Sequence, residues 1–455
     1  MSENTTIEKR GNFTGKLGFV LAAAGSAVGL GNIWRFPYLA AKHGGGIFLL
    51  VYIILAVTLG FALMSAEILI GRKTGLSAIG AFKKLDKRFS FVGVLAAIVP
   101  AIILPYYCVI GGWVTKFIAV FATGDSASAA DGGNYFSNFI SGTAQPIGWF
   151  LIFLGLTAVI VLFGVEKGIE RVSKVMMPLL VVMIVGITVY VLCQPGAASG
   201  LKYYLVPDFK HFSATTVLAA MGQLFYSMSL AMGIMITYGS YMKKDVNVES
   251  AVHNIEIFDT GIAFLAGLMI IPAVAASGGE MGKGPSLMFI ALPKIFDDMT
   301  GGTIIGLIFF ILVFFAALTS SISLMETVVS IIKDKFKLNR TISCLIVIGI
   351  CLLLGIPSAL SNGGILSGIK IIGLGFLDFF DFISNNVMMP IVALITCIFV
   401  GYILKPKALI SEAQECGNKF KAKRLFTVVI KYIAPVCIVL ILGFSVLEAF
   451  GVIKV

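Results

Sequence analysis

Long apolar runs separated by short polar segments occupy most of the chain. A helix of about 17–25 apolar residues crosses the hydrocarbon core of a bilayer. Eleven runs are long enough, so the pattern predicts eleven transmembrane helices, here called spans 1 to 11. They cover residues 17–39, 46–70, 90–122, 147–164, 170–193, 213–238, 256–277, 303–332, 341–357, 372–404 and 425–449.

Span 1 contains residues that an ordinary spanning helix avoids. Residues 21–38 read LAAAGSAVGLGNIWRFPY, with Asn32 and Arg35 in an apolar context and Pro37 lacking a backbone donor. In hydrocarbon, backbone groups freed from a helix must line a cavity or bind something. Glycines alone would equally suit a helix-packing seam, but buried polar residues in a span are usually functional. The stretch therefore indicates an ion and substrate site.

Span 6 is the second interrupted helix, because residues 227–233 read SMSLAMG. Spans 1 and 6 each open a block of five spans, which is typical of an inverted-repeat transporter with a midplane site. The predicted fold is therefore an all-α polytopic membrane protein with broken helices 1 and 6. Residues 1–455 would form one membrane domain, with repeats over about 10–193 and 213–404 and an extra helix at about 425–449.

Further polar residues lie inside the predicted spans. In span 8 the hydroxyl cluster is equally compatible with bonding to helix carbonyls and with oxygen ligation of a hard cation. Carboxylates within a span need a partner, and Arg35 is the natural partner for an aspartate of span 10. His253 has no ligand companions and is interpreted as structural. The hydroxyl residues are Thr319, Ser320, Ser321 and Ser323; the acids are Glu67, Asp259 (near the start of span 7), Asp378 and Asp381.

Composition and charge support the membrane interpretation. The chain has 455 residues, 58% hydrophobic and 13% charged, and a mean hydropathy of +1.00. Its net charge of +11 is explained by the loops, so no nucleic-acid partner is expected. Basic residues cluster in alternate loops, from Lys9 and Arg10 to the segment 405–424, whereas residues 123–145 have none. The positive-inside rule then predicts a multi-pass protein of the plasma (inner) membrane with a cytoplasmic N-terminus.

The sequence lacks the motifs of several other function classes. No Walker A, HExxH or GxSxG pattern occurs, so ATP-driven pumping and enzymatic activity are not expected. The seven cysteines include no CxxC pair and give no case for a disulfide framework or metal cluster. A channel would need rings of like groups along a pore, and no such pattern stands out.

Several motifs resemble those of the neurotransmitter:sodium symporter family. GSAVGLGNIWRFPY resembles its first-helix signature, and the similarity continues over nearly the whole chain through GGGIFLLVY, EILIGR, VEKGIERVSKVMMP, GQLFYSMSLAMGIMITYGSY and LTSSISLME. The chain looks like an eleven-span member of the bacterial amino-acid transporter branch. The resemblance implies sodium-coupled symport by alternating access, with two Na⁺ ions expected.

The resemblance also implies ligands for each ion. The first sodium site would use Ala27, Asn32, Ser227 and Asp259; the second would use carbonyls of Gly25, Val28 and Ala316 with hydroxyls of Thr319 and Ser320. The family usually has Asn where this chain has Asp259. The extra negative charge predicts independence from chloride, which some relatives bind for charge compensation.

The substrate pocket is implied in the same way. The amino acid's carboxylate would meet the N–H groups of Leu30 and Gly31 and the Tyr107 hydroxyl. Relatives that carry monoamines have Asp at the position of Gly29, so glycine favours an amino acid. Adaptable Met232 favours hydrophobic or aromatic L-amino acids. The expected substrate-binding residues are Ser26, Ala27, Leu30, Gly31, Ile103, Tyr107, Tyr226, Ser227, Ser229, Met232, Ser320 and Leu324.

Gates and a hinge complete the expectations from the family. Arg35 would pair with Asp381 outside an aromatic lid of Tyr107 and Tyr226, with Asp378 as a competitor. Gly168 and Pro178 of span 5 would form a hinge whose unwinding hydrates the second sodium site. The inner gate would consist of Arg10 with Asp334, near Phe13, Ser240 and Tyr241. The alternative function is a sensor that binds sodium and an amino acid without transport. The preferred amino acid, sodium stoichiometry, proton antiport and oligomeric state stay open.

Overall fold

The computed structural model describes residues 11–278, 285–363 and 365–449, and within them it is helical. The only β-structure in these ranges consists of the isolated bridges Gly45–Pro207 and Ile371–Leu374. Up to residue 211 the helices are Lys16–Ala27, Gly31–Arg35 (π), Phe36–Lys42, Gly46–Leu55, Ala56–Gly60 (π), Phe61–Thr74, Ala78–Leu85, Lys87–Phe89 (3₁₀), Ser90–Ala122, Ser126–Ala129, Asn134–Ser141, Ala144–Leu162, Val165–Glu170 (π), Arg171–Leu192, Ala197–Leu205 and Phe209–His211 (3₁₀).

The later helices repeat the alternation of long helices and short turns. They are Ala214–Ser227, Ile234–Gly239, Val248–Ser277, Leu287–Ala291 (π), Leu292–Asp297, Gly302–Phe336, Arg340–Leu360, Phe376–Asp381, Phe382–Met388 (π), Met389–Ile398, Phe399–Ile403 (π), Pro406–Ala413, Glu415–Gly417 (3₁₀), Lys423–Val428, Val429–Ile433 (π) and Ala434–Ala449. The short helices in the connections between spans were not predicted from the sequence, because they are too short to show a clear hydrophobic period.

Both predicted interruptions are present. Span 1 consists of Lys16–Ala27 and Gly31–Lys42, which are bent by 55° with respect to each other. Span 6 consists of Ala214–Ser227 and Ile234–Gly239, with Met228–Gly233 outside both helices. This confirms the prediction of a fold with broken helices 1 and 6.

Nine helices in the described ranges are long and apolar enough to cross a membrane, and the bent pair of span 1 makes a tenth. The two short pieces of span 6 do not meet that criterion, so the count of eleven remains a prediction, as does the division into repeats. Span 7 begins at Val248, well before the predicted residue 256. The pattern of apolar residues does not extend to its polar first two turns, but Asn247 accepts a hydrogen bond from the Ser250 N–H and caps the helix. Asp259 therefore lies inside the span and not near its start.

The broken helices lie at the centre of the bundle. Lys16–Ala27 packs against spans 5, 7 and 8, and Ile234–Gly239 packs against span 2. Residues Gly18 to Ala27 are all buried. Apolar side chains exposed on the outer helices, such as Val182 and Leu353, form the lateral surface that faces lipid. The interrupted backbone is thus enclosed by protein, which is the condition under which it is tolerated in a membrane.

Candidate functional site

One small cavity lies between the two broken helices. Its volume is about 30 Å³, and residues from spans 1, 3, 6 and 8 line it. The twelve predicted substrate-binding residues, Ser26, Ala27, Leu30, Gly31, Ile103, Tyr107, Tyr226, Ser227, Ser229, Met232, Ser320 and Leu324, all lie in this lining. Gly29, Asn32 and Ile234 line it as well. The structure therefore brings together residues that lie almost three hundred positions apart in the chain.

Backbone conformation and a buried acid hold the break in span 6 open. Ser229, Ala231 and Gly233 have positive φ angles of 52°, 61° and 68°. Residues other than glycine rarely adopt such backbone angles. The freed Ala231 N–H donates to the Glu67 carboxylate at 2.6 Å. A carboxylate inside a span, such as Glu67, is expected to have a polar partner. The backbone N–H of Ala231 in span 6 is that partner. Such a contact compensates one of the donors that the broken helix exposes.

A polar cluster surrounds the carboxylate of Asp259, which is completely buried. The Asn32 Nδ2 donates to Asp259 Oδ1 at 2.7 Å and to its carbonyl at 3.1 Å. The Ser227 hydroxyl donates to Oδ1 at 2.8 Å, and the Tyr52 hydroxyl to Oδ2 at 3.2 Å. Three residues predicted for the first sodium site thus meet directly, and the fourth, Ala27, lines the adjoining cavity.

The five residues predicted for the second sodium site lie between spans 1 and 8. Ser320 Oγ lies 3.4 Å from the Gly25 carbonyl oxygen and 3.1 Å from that of Val28. Thr319 donates to the Ala316 carbonyl at 3.2 Å. A Cβ added at Gly25 would lie 3.2 Å from Thr319 Cβ, so the two halves of this group are in contact. Hydroxyl and carbonyl oxygens are the ligands that a hard cation prefers.

At the break in span 1, backbone groups beside the cavity bond to side chains instead of to helix partners. The Leu30 N–H donates to the Tyr107 hydroxyl at 3.3 Å, and the Gly29 N–H donates to Asn32 Oδ1 at 3.0 Å. The Gly31 carbonyl accepts from Gln223 Nε2 at 2.9 Å. N–H groups at the start of a half-helix attract negative charge. This end of the cavity can therefore accept a carboxylate.

A second, larger cavity of about 480 Å³ shares one lining residue, Tyr226, with the first. Arg35, Asp378 and Asp381 line it. The Arg35 guanidinium lies 5.1 Å from the centre of the Tyr226 ring, while Asp381 accepts from Asn385 at 2.8 Å. Among the described residues Arg35 and Asp381 form no direct ion pair, so the predicted outer gate remains a prediction.

The predicted inner gate is described in part. Arg10 lies outside the described residues. Asp334 accepts hydrogen bonds from the N–H and the hydroxyl of Ser77 at 3.0 and 2.6 Å. The Phe13 N–H donates to the Tyr241 carbonyl at 3.2 Å, and their rings pack edge to face at 6.1 Å. Phe13 and Tyr241 are therefore in contact, with Ser240 next to Tyr241 in the chain; their role as a gate remains a prediction.

The predicted hinge lies at a local irregularity of span 5. Gly168 belongs to the π-helical turn Val165–Glu170, and Pro178 lies inside Arg171–Leu192. A Cβ at Gly168 would lie only 2.2 Å from the Ile160 carbonyl oxygen. Close packing therefore accounts for this glycine independently of helix weakening.

Sequence reasoning missed three residues near the site: Tyr52, Gln223 and Glu256. Gln223 and Glu256 are buried polar residues in apolar spans, a signal that could have identified them. Tyr52 carried no such signal, because a tyrosine in an apolar run is commonly a core residue. His253 donates or accepts a hydrogen bond with Glu256 at 3.0 Å and stacks on Phe61, and it lies away from the cavity lining.

Known proteins with similar sequences and structures include several transporters. The model of the Sodium:neurotransmitter symporter family matches residues 10–128 and 140–452. An uncharacterized sodium-dependent transporter of Bacillus subtilis (strain 168), YhdH, is 36% identical over 454 residues, covering 97% of this chain and 98% of that protein. The sodium- and chloride-dependent taurine transporter of Rattus norvegicus is 28% identical over 461 residues, covering 87% and 71%.

Structural similarity leads to the same group. The crystal structure of MhsT in complex with L-phenylalanine superposes with a TM-score of 0.87 at 39% identity, covering 96% of this chain and 99% of MhsT. Together with the broken spans, the match of the family model over most of the chain establishes the relationship. The chain belongs to the sodium:neurotransmitter symporter family and is a multi-pass, sodium-dependent membrane transporter, not an enzyme.

Proposed function

We propose that this protein couples the inward movement of sodium to the uptake of hydrophobic or aromatic L-amino acids, independently of chloride. The observation that carries the proposal is the convergence of the twelve predicted substrate residues on one cavity between the broken helices. Backbone N–H groups and Tyr107 at one end suit a carboxylate, whereas Ile103, Met232 and Leu324 offer an apolar environment for a side chain. The phenylalanine bound by MhsT is consistent with this substrate class.

Coupling in this proposal depends on two sodium ions that share protein ligands with the substrate. Ser227 and Ser320 each line the substrate cavity and also belong to one of the proposed ion sites. An ion that favours one conformation of spans 1, 6 and 8 raises the population of that conformation. If the amino acid binds the same conformation, the ion raises the apparent affinity of the protein for the amino acid, and the reverse holds by linkage.

Chloride independence is attributed to Asp259. Its carboxylate accepts hydrogen bonds from Asn32 and Ser227, both proposed ligands of the first ion. In a buried site, a fixed negative charge beside a cation offsets the cost of burying that cation. Relatives that bind chloride would obtain this charge from the anion instead.

The test is uptake of labelled leucine, phenylalanine and tryptophan into proteoliposomes under an inward sodium gradient, with chloride or gluconate as the anion. We expect accumulation that needs sodium and is the same with both anions. Asp259→Asn should lower sodium affinity by at least about tenfold, equal to ~1.4 kcal/mol, and chloride should partly restore uptake. Asp297→Asn, which changes an exposed carboxylate at the end of the short helix Leu292–Asp297, is the control.

Different failures would contradict different parts of the proposal. Sodium-dependent binding without accumulation would favour the sensor alternative over transport. Chloride-dependent uptake by the unmodified protein would overturn the proposed role of Asp259. Transport of amines in preference to amino acids would contradict the substrate class inferred from Gly29.

A further inference from the structure

A basic cavity lies at the junction of spans 10 and 11, apart from the substrate site. We call it the lysine cavity; its volume is about 340 Å³, within the range of about 300–1,000 Å³ found for ligand pockets. Its lining consists of Gly401, Tyr402, Lys405, Pro406, Lys407, Ile410, Thr427 and Lys431. Neither the transport site nor the gates use any of these residues.

Irregular backbone on both sides shapes the lysine cavity. Span 10 ends in the π-helical turn Phe399–Ile403, and span 11 contains the π-helical turn Val429–Ile433, which packs against it. Lys405 follows with a positive φ of 65° and turns the chain into the helix Pro406–Ala413. π-turns occur frequently at functional sites, and here two of them frame one opening.

Three lysine residues line this opening, and no acidic residue is among the lining residues. Lys405 and Lys407 are exposed and Lys431 is partly buried, its ammonium 5.7 Å from the centre of the Tyr402 ring. None of the three forms an ion pair within the described part of the chain. The carboxylate of Glu412, on the same short helix, is engaged by Arg72 at 3.1 Å and by Lys244. The lysine cavity is therefore suited to an anion.

The lysine cavity also borders the apolar lateral surface of the bundle. Exposed apolar and aromatic side chains continue from it along span 11 and the end of span 10: Tyr402, Ile403, Val428, Tyr432, Ile433, Val436 and Val439. A soluble anion would use only the lysines, whereas a phospholipid would place its phosphate among them and its acyl chains on this surface. Basic pockets between transmembrane helices bind anionic headgroups in this manner.

We propose that the lysine cavity binds the phosphate headgroup of an anionic phospholipid. The test counts lipids bound to the purified full-length protein by native mass spectrometry during titration with phosphatidylglycerol, and separately with phosphatidylcholine. Each lysine should contribute about fivefold in affinity, equal to ~1 kcal/mol. Because three lysines are changed, the variant Lys405→Gln/Lys407→Gln/Lys431→Gln should lose roughly a hundredfold in affinity for phosphatidylglycerol.

The matched control is Lys83→Gln/Lys87→Gln/Lys335→Gln, which removes three exposed lysines of other helices and should retain the affinity. If the triple variant of the lysine cavity does not fold, Lys407→Gln alone should lose about fivefold. Equal loss in the control, or equal affinity for phosphatidylcholine, would overturn the proposal. Displacement of the lipid by millimolar inorganic phosphate would also overturn it, because the site would then select a soluble anion.

Discussion

At two positions of the proposed substrate site the absence of a side chain matters for packing, since both are glycines. A Cβ at Gly29 would lie 2.7 Å from Ser320 Oγ and 2.9 Å from the Tyr107 hydroxyl, and one at Gly31 would lie 2.6 Å from the Tyr226 ring. Real Cβ contacts are longer, so both positions require glycine for close approach. Gly29 therefore allows spans 1, 3 and 8 to pack closely. This packing role is separate from the inference that glycine at this position favours an amino-acid substrate.

We expect Gly29→Ala to lower the affinity for phenylalanine in sodium-dependent binding assays. Overpacking costs about 1–3 kcal/mol, which corresponds to a loss of roughly 5- to 150-fold. Gly155→Ala is the control, because a Cβ there would meet nothing within 4 Å. An unchanged affinity in Gly29→Ala would show that the cavity wall is softer than its geometry indicates.

Among the helices, span 5 combines two features that lower its resistance to unwinding. The π-helical turn Val165–Glu170 begins it, and Pro178 removes a hydrogen bond from the helix that follows. Glu170, at the end of the turn, accepts a hydrogen bond from the Thr14 N–H at 2.9 Å and pairs with Lys174 at 2.6 Å. The turn is thus tied to the segment that precedes span 1.

Replacing Pro178 by Ala restores a helical donor and should make span 5 harder to unwind. Gly168→Ala is less informative, because its Cβ would clash with the Ile160 carbonyl. We expect Pro178→Ala to slow sodium-driven uptake by about tenfold, equal to ~1.4 kcal/mol in the barrier, while equilibrium sodium binding is retained. Pro357→Ala, in the interior of Arg340–Leu360, is the matched control. Equal turnover in both variants would exclude Pro178 as part of a hinge.

The bundle as a whole is held together at one end by a buried ionic network. Arg72, at the end of span 2, donates to Glu412 at 3.1 Å and to the Val246 carbonyl at 2.9 Å. Both charged side chains are almost completely buried, and Lys244 joins the same carboxylate. The network links span 2, the connection between spans 6 and 7, and the helix that precedes span 11.

Breaking this network should destabilise the whole protein. Removing one partner of a buried ion pair costs about 3–5 kcal/mol when the other charge is left without compensation. Lys244 remains paired with Glu412, so Arg72→Gln should cost less than this. We still expect Arg72→Gln to lower the midpoint temperature of thermal unfolding in detergent by a clearly measurable amount. Arg88→Gln breaks the exposed pair with Asp86 and should leave the midpoint nearly unchanged. Equal midpoints for the two variants would show that the buried network contributes little.

Sequence patterns were sufficient for properties that depend on local chemistry. The length of the apolar runs predicted the spans, because the bilayer sets the length of a crossing helix. Polar and glycine residues within spans 1 and 6 predicted the breaks, because unpaired backbone is tolerated in a membrane only around a cavity. The family resemblance then named the residues that the structure places around that cavity.

Only the tertiary structure decided how distant segments meet. The contacts of Asn32 with Asp259, Val28 with Ser320 and Arg72 with Glu412 join residues 227, 292 and 340 positions apart. Hydrophobic periodicity reports which face of a helix is buried, but not which neighbour buries it. For the same reason the polar start of span 7 and the lysine cavity between two π-turns emerged only from packing, since each depends on groups brought together by the fold.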